Sequence, residues 1–444
     1  MKTIVRGGVI VNEGRVVKGA VVIDGDTIVS CGPDADVTDA DVTDADVIDA
    51  TGCYVLPGVI DSHVHFREPG LTEKADMESE SRAAAAGGVT TFFDMPNTVP
   101  QTTTLVALDE KFCLAAVKSH VNFSFFFGAT NDNAALFSQL DPHRIPGIKL
   151  FMGSSTGNML VDSDESLERI FSEAPLPLVA HCEDMAIINR NMEACKACYG
   201  DDPEVRLHPL IRSEEACLAS TTKAIELAMK YQAQLHLAHL STRAEVELIP
   251  ANCLHVITAE ATVGHLIFSY VDYERLGARI KVNPAVKSVV DQQELRRGLR
   301  DGRISTVATD HAPHLLSQKQ GGAARAASGM PMVQFSLPSM LELVDEGVIT
   351  IERLVEVMAH NPATIFSVRQ RGFIRPGFKA DLAIVRPDAP WEVKTDVIES
   401  LCRWSPLEGH TFRWRVEKTL CNGHLVYDDG RVDVNYFGQP VEFR

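Results

Sequence analysis

The sequence predicts an α/β fold, a (β/α)8 barrel over residues 56–374 with a small β-sandwich-like domain built from residues 1–55 and 375–444. The middle of the chain alternates apolar strand-like runs with helical stretches, which is the pattern of repeated β-α units. Residues 1–55 instead alternate β-branched and polar residues between Gly-containing turns, and this texture returns at 380–386, 419–426 and 431–434. We therefore expect the two ends of the chain to pair with each other.

Length and composition are compatible with a large globular protein. The chain has 444 residues, of which 45% are hydrophobic and 23% charged. Its net charge of −18 argues against nucleic acid or an anionic membrane as a partner, because both bind basic surfaces. The 10 cysteines show no disulfide framework, and the sequence has neither a signal peptide nor a long apolar run. We therefore expect a cytoplasmic protein.

Two local motifs are interpreted as unrelated to the chemistry. Residues 34–49 form a five-residue repeat with seven aspartates, which lacks the Gly and the closing Glu of a calcium loop and predicts a solvated acidic loop. Cys195 and Cys198 form a single CxxC without a second pair at zinc-ribbon spacing. We expect no structural metal there.

Eight apolar runs are predicted to be the barrel strands. They cover 59–65, 89–97, 121–129, 147–153, 176–183, 234–241, 255–262 and 304–311. Helices predicted between them include 74–86, 105–118, 163–173, 212–230 and 291–301. Because active sites of such barrels lie at the C-terminal ends of the strands, polar residues at those ends are the candidates for chemistry.

Potential metal ligands stand at several of these strand ends. His63 and His65 are two residues apart in the first strand, so both imidazoles point to one face. Two converging neutral imidazoles form half of a first-row metal site, and Arg67 adds a fixed cation two residues later. The later strands end in Asn97, Lys149, His181, His239, Asp310 and His314.

These residues and their order resemble the dihydroorotases of the amidohydrolase superfamily. The chain contains H-F-R-E-P-G at 65–70, M-P-N-T at 95–98, K-V-N-P at 281–284 and T-D-H-A-P-H at 309–314. The likeness covers nearly the whole chain. The most specific feature of this likeness is the arginine after the His pair, since a dihydroorotase uses this residue to bind the carboxylate of its substrate.

The resemblance implies a centre with two zinc ions. Lys149 would bridge them as an N-carboxylated side chain, since an amine next to two dications loses its proton and can add CO2 to become a carbamate. A related branch bridges its metals with an aspartate after the fourth strand, but here that loop has no acidic residue before Asp162. The implied ligands are His63, His65 and Asp310 for one ion and His181 and His239 for the other.

The implied reaction is the reversible hydrolysis of (S)-dihydroorotate to N-carbamoyl-L-aspartate, a step of pyrimidine biosynthesis. A hydroxide between the zinc ions would attack the ring amide carbon, with Asp310 as general base and then general acid. Where dihydroorotases commonly show Thr-Pro-His-His, this chain has Thr262-Val263-Gly264-His265, so we assign no role there. The implied substrate contacts are His65, Arg67, Asn97, Asn283, His314 and the backbone at Ser328 and Gly329.

Two other interpretations stay open. A hydantoinase, dihydropyrimidinase or allantoinase would share the metal ligands but act on a ring without a carboxylate, which leaves Arg67 without a task. An inactive scaffold for a partner enzyme would have lost metal ligands, whereas this chain has all of them. The sequence leaves a homodimer open as well.

Overall fold

The computed structural model describes residues 2–33, 35, 45–153, 159–252 and 254–444. Most of the acidic repeat and part of the loop after the fourth barrel strand therefore lie outside the described residues. In the described ranges, no helix is both long and apolar enough to cross a membrane. The predicted fold class is confirmed, because the chain forms a parallel α/β barrel joined to a β-rich domain.

All eight predicted barrel strands are present, most of them shorter than predicted. Each pairs in parallel with its neighbours in chain order. The third strand is interrupted at Phe126, so its first part pairs with the second strand and its last part with the fourth. The strands are Val59–Val64, Val89–Asp94, Asn122–Phe125 with Phe127–Gly128, Ile148–Phe151, Leu178–His181, Leu235–Leu237, Ile257–Thr262 and Thr306–Ala308.

The barrel closes between its eighth and first strands through side chains as well as backbone. The amide of His65 donates to the carbonyl of His311 at 2.7 Å. The buried carboxylate of Asp61 accepts from the amide and the hydroxyl of Thr309, at 3.2 and 2.6 Å. These bonds hold the ends of the two strands together, which brings the first and last predicted metal ligands to the same place.

Helices cover the outside of the barrel, and side-chain caps set where they begin. The first was predicted from residue 74 but begins at Met77, because the side chain of Asp76 accepts from the amide of Ser79 at 2.8 Å. The longer helices are Met77–Ala86, Leu105–Ala116, Asp164–Glu173, Met185–Tyr199, Glu214–Tyr231, Val289–Asp301 and Ser336–Asp345. Short helices lie at His208–Ile211, Arg243–Glu247, Val263–Ile267, Tyr273–Leu276, Ile351–Val355 and Asn361–Ile365.

Strands from both ends of the chain share one seven-stranded sheet. A second, four-stranded sheet comes from the N-terminal segment alone, and apolar side chains of both sheets pack into one small core. The first sheet contains Val9–Asn12, Arg15–Lys18, Tyr54–Pro57, Leu382–Arg386, Arg415–Cys421, His424–Asp428 and Arg431–Val432. The second contains Lys2–Arg6, Ala20–Asp24, Thr27–Gly32 and Asp46–Asp49.

The stretch 419–426 is a hairpin rather than one strand. Asn422 and Gly423 have φ of 51° and 75°, and a chain that enters this left-handed region leaves the extended direction. The strands Arg415–Cys421 and His424–Asp428 then pair antiparallel across this turn. The alternation of β-branched and polar residues predicted extended structure here but did not show where the chain turns back on itself.

The C-terminal tail covers the N-terminal end of the barrel. Pro440 pairs with Phe123, near the start of the third strand, and the Phe443 ring packs against Phe93 with centroids 5.5 Å apart. These rings belong to an apolar cluster with Ile60 and Phe126. Because that end is filled, the opposite end, where the strands stop, is the one that can receive a ligand.

Candidate metal centre and active site

A cavity of about 290 Å³ opens where the barrel strands end. All residues predicted to form the site line it except Lys149, which is buried in the fourth strand. The predicted residues in the cavity wall are His63, His65, Arg67, Asn97, His181, His239, Asn283, Asp310, His314, Ser328 and Gly329.

His63, His65 and Asp310 form one cluster of potential ligands. Oδ1 of Asp310 lies 3.4 Å from Nε2 of His63 and 3.0 Å from Nε2 of His65. One donor atom from each residue lies within 4.8 Å of the other two, which is a spacing that a single cation can bridge. The prediction that these three residues share a site agrees with this geometry.

His181 and His239 form a second pair of potential ligands beside the first cluster. Nδ1 of His181 lies 2.9 Å from Nε2 of His239. The rings of His63 and His239 have their centroids 5.3 Å apart, so the pair adjoins the first cluster. The two groups are therefore close enough to bind two neighbouring ions.

Three residues of the site have backbone conformations that L-residues avoid. Arg67, His239 and Asp310 have φ of 68°, 39° and 48°. Strain of this kind persists only where the surrounding structure imposes it, and it is common at functional sites. Here it occurs at the turns that direct the three side chains into the cavity.

Two buried glutamates orient the histidines. Nδ1 of His63 lies 2.8 Å from Oε1 of Glu260, and Nε2 of His181 lies 2.9 Å from Oε2 of Glu183. A carboxylate can only accept, so these ring nitrogens donate and the opposite nitrogens keep their lone pairs. The lone pairs then point to Asp310 and to His239, as binding of a metal ion requires.

Glu183 and Glu260 are not among the residues predicted from the sequence to form the site. Both side chains are buried, and Glu183 also forms an ion pair with Arg212. In the sequence, each of these glutamates lies in or next to an apolar strand. A charged residue that is buried there needs a partner, and this could have marked both residues. The sequence does not show that the partner of Glu260 is a histidine almost two hundred positions away.

His65 is oriented in the same way by an amide. Its Nδ1 lies 2.7 Å from the oxygen assigned as Oδ1 of Asn97. With that oxygen as acceptor, Nε2 of His65 is free to face Asp310, and the NH2 group of Asn97 is left to donate to a ligand. One side chain thus connects the ligand cluster with the part of the cavity next to Arg67.

Lys149 is a buried amine close enough to both groups to act on them electrostatically. Its side chain is fully buried, and its Nζ has no hydrogen-bond partner among the described residues. Burial lowers the pKa of Lys149 to about 8. A buried amine without a partner, next to a set of nitrogen and oxygen donors, is unusual unless something else occupies the space. The residues present therefore fit a pair of metal ions.

Arg67 supplies a buried positive charge in the cavity wall. Its Nε donates to the carbonyl of Pro313 at 3.0 Å, and Nη2 lies 3.1 Å from Nε2 of His314. Burial lowers the pKa of Arg67 to about 10, so the guanidinium stays charged at neutral pH. Within the part of the chain that the structure describes, no carboxylate lies within 4.0 Å of it.

The loop that carries Ser328 and Gly329 is fixed from behind by a lysine. Nζ of Lys319 donates to the carbonyls of Lys281, Ala327 and Gly329 at 3.0, 2.6 and 2.6 Å. The amide of Gly329 donates to the carbonyl of Lys281 at 2.8 Å. The amide of Ser328 has no partner among the described residues, so it is the donor that this loop can offer to a ligand.

The side chain of Asn283 is also held in place. Nε2 of His208 lies 2.9 Å from the carbonyl of Val282 and 3.1 Å from Oδ1 of Asn283, so this nitrogen donates to both oxygens. The NH2 group of Asn283 is then free to face the cavity.

The structure explains the departure at 262–265. A Cβ at Gly264 would lie 2.0 Å from Cε of Met330, so the methionine fills the space that a larger residue would need. His265 is fully engaged, with Nδ1 2.7 Å from Oγ1 of Thr262 and Nε2 3.0 Å from the carbonyl of Pro284. It supports the loop that carries Asn283 instead of reaching the cavity.

Comparison with known proteins agrees with the fold. Residues 54–426 match the amidohydrolase family. A dihydroorotase from Halobacterium salinarum is 38% identical over 426 residues, covering 94% of this chain and 97% of that protein. An allantoinase from Bacillus velezensis is 33% identical over 436 residues, covering 96% and 94%. The L-hydantoinase (dihydropyrimidinase) from Arthrobacter aurescens has a TM-score of 0.91 at 29% identity, with 99% of both chains covered.

The barrel, the histidine and aspartate ligands at its strand ends and these matches point to one family. Relatives with different ring substrates are all similar over nearly the full length, so the comparisons identify the reaction class rather than the ring. The chain belongs to the amidohydrolase family and is a hydrolase of cyclic amides.

Proposed function

We propose that this enzyme is a dihydroorotase, which opens the ring of (S)-dihydroorotate reversibly to N-carbamoyl-L-aspartate. The observation that carries the proposal is Arg67, a buried cation in the cavity wall without a carboxylate partner among the described residues. A carboxylate on the substrate would supply that partner through paired, charge-assisted hydrogen bonds. The rings of hydantoin, dihydrouracil and allantoin carry no carboxylate.

The cofactor that we propose is a pair of zinc ions bridged by carboxylated Lys149. The neutral amine of Lys149 would attack CO2, so that one N–C bond forms, one proton leaves and an anionic carbamate with two oxygens remains. Bound in this site, the ions would supply Lewis-acid activation of water and of the amide carbonyl at neutral pH. The other ligands are His63, His65 and Asp310 in one set and His181 and His239 in the second.

We assign the proton transfer to Asp310. Its carboxylate lines the cavity beside His63 and His65, and part of its side chain is accessible. It would accept the proton of the attacking water and then deliver it to the departing ring nitrogen. Because one carboxylate serves both steps, the same group can run the reaction in either direction.

The remaining polar groups would bind and orient the ring. The guanidinium of Arg67, the NH2 group of Asn97 and the ring of His314 surround the space proposed for the carboxylate. The NH2 group of Asn283 and the amide of Ser328 would donate to the carbonyl oxygens of the ring. Fixed donors of this kind hold the amide carbon close to its nucleophile.

Replacing Arg67 with methionine tests this proposal. We expect kcat/KM for dihydroorotate to fall about 100-fold or more, since each hydrogen bond between charged groups contributes roughly 1.5–3 kcal/mol. Arg67→Lys should recover only part of the loss, because an ammonium cannot form two parallel bonds to a carboxylate. The measurement is the ultraviolet loss of dihydroorotate with purified protein.

The control for this variant is Arg190→Met, which removes an exposed arginine that does not line the cavity. The same proteins are also assayed with dihydrouracil, hydantoin and allantoin. If the wild-type protein opened one of these neutral rings and not dihydroorotate, the enzyme would instead be a hydantoinase-type or allantoinase-type hydrolase. Full activity of Arg67→Met on dihydroorotate would show that Arg67 does not bind the carboxylate and would remove the observation that carries the proposal.

A further inference from the structure

The chain reverses twice directly after Arg67, and this brings a second cation into the same cavity. The amide of Leu71 donates to the carbonyl of Arg67, and the amide of Lys74 donates to the carbonyl of Leu71, both at 3.1 Å. The first reversal needs glycine, because Gly70 has a φ of 82° and its Cβ would lie 1.9 Å from the carbonyl oxygen of Val99. Lys74 consequently lines the cavity together with Arg67.

The ammonium of Lys74 has no anionic partner in the part of the chain described here. No carboxylate lies within 4.0 Å of it, and no hydrogen bond of its Nζ is found. Of the glutamates nearest in sequence, Glu73 is exposed and attracts Lys74 without forming an ion pair, and Glu78 pairs with Arg82. Glu68 is engaged by Lys118 and by the amide of Met77. The Lys74 charge is therefore available to a ligand.

The surroundings of Lys74 make it sensitive to a bound anion. The side chain is half-buried, and burial followed by the charge of Arg67 lowers its pKa. Burial and the same two cations also hold the pKa of His314 well below its usual value, so this ring stays neutral. This part of the cavity thus has two positive charges, and neither forms an ion pair with a carboxylate of the described residues. The nearest carboxylate in the cavity wall is that of Asp310, which faces His63 and His65.

We propose that Lys74 is a second cationic ligand of the substrate carboxylate and a determinant of the preference for anionic rings. The inference rests on the proposed function and deepens it. Arg67 would fix the direction of the carboxylate through two parallel hydrogen bonds, while the ammonium of Lys74, a compact charge on a flexible stem, would add a further charge-assisted contact. A hydrolase of neutral rings would gain nothing from this second charge, which would only add repulsion to the empty site.

The test uses the metal-loaded full-length enzyme and its variants Lys74→Met and Lys74→Arg. We expect Lys74→Met to raise the KM for dihydroorotate and the inhibition constant of orotate about tenfold each, with a smaller change in kcat. The ratio of kcat/KM for dihydroorotate to that for dihydrouracil should fall by a similar factor. Lys74→Arg should restore both constants to within about threefold, because it restores the charge.

Two further measurements separate charge from packing. The KM of the wild-type enzyme for dihydroorotate should rise with salt, and this dependence should be weaker in Lys74→Met. Lys196→Met, which removes an exposed lysine on another helix, should leave all constants unchanged. Metal content and thermal unfolding of each variant are recorded alongside.

The outcomes distinguish the two proposals. If the wild-type enzyme opens dihydroorotate while Lys74→Met keeps its KM and the inhibition constant of orotate within twofold, the role of Lys74 is wrong and the proposed function stands. A failure of Lys74→Arg to restore binding would also overturn the role, since charge would then not be the cause. If the wild-type enzyme neither opens dihydroorotate nor binds orotate, both proposals fail.

Discussion

Replacing Lys149 with methionine is expected to lower kcat/KM for dihydroorotate about 1,000-fold or more, because the proposed bridge between the two metal ions would be lost. Methionine has nearly the length of lysine but cannot add CO2 or bind a hard cation. The metal content should fall from two ions per chain to one or fewer. The measurements are steady-state kinetics and elemental analysis of the same purified sample.

The stability of this variant provides the internal control. Nζ of Lys149 is buried without a hydrogen-bond partner, so its removal leaves no acceptor unpaired and does not destabilise the metal-free fold. We expect the metal-free forms of wild type and Lys149→Met to unfold at similar temperatures. Full activity with two bound ions in Lys149→Met would show that another group bridges the metals.

Replacing Asp310 with asparagine should lower kcat about 1,000-fold, with a smaller change in KM. Asparagine has the same shape and can still face His63 and His65, but it cannot accept a proton from water. The hydrogen bonds that hold Arg67 and Asn97, the proposed carboxylate ligands, do not involve Asp310, so binding of orotate should persist. Kinetics and orotate inhibition on the same preparation separate the loss of proton transfer from a loss of binding.

A matched variant controls for the charge change. Asp201→Asn also removes one carboxylate, but from an exposed loop, and should behave as wild type. Metal content has to be measured for Asp310→Asn as well, since Asp310 is also a proposed ligand. Near-normal turnover in this variant would assign the proton transfer to a different group.

Much of the fold, and the group of side chains that line the cavity, could be predicted because both depend on local patterns. An apolar run followed by His63, His181 or His239 marks the end of a buried strand, and parallel strands in a barrel end on the same side. This is why residues from the first, fifth and sixth strands lie in one cavity. The likeness to dihydroorotases added roles to residues such as Asn283, whose position alone says little.

The groups that orient these ligands could not be predicted in the same way. Glu260 pairs with His63 from another strand of the barrel. This pairing depends on the three-dimensional arrangement of the two strands and on the positions of the two residues along the barrel axis. Lys74 falls at the start of a predicted helix, so its side chain was not considered for the cavity. The true helix begins later, and the two turns after Arg67 bring Lys74 to the site. Contacts between distant segments, rather than local patterns, decide both cases.

The departure at Gly264 shows a similar limit. The sequence analysis identified an unusual residue after the seventh strand but gave no reason for it. The structure places the side chain of Met330 against this glycine, from a loop more than sixty positions later. The side chain of Met330 thus occupies the space that a larger residue at position 264 would need.

The most direct test of the central claim is the metal stoichiometry of the purified full-length protein, measured together with its ring-opening activity. The account predicts about two zinc ions per chain, loss of activity when a chelator removes them and recovery when zinc and bicarbonate are restored. A protein that contains no stoichiometric metal, or that keeps its full activity after the chelator has removed the metal, would contradict it.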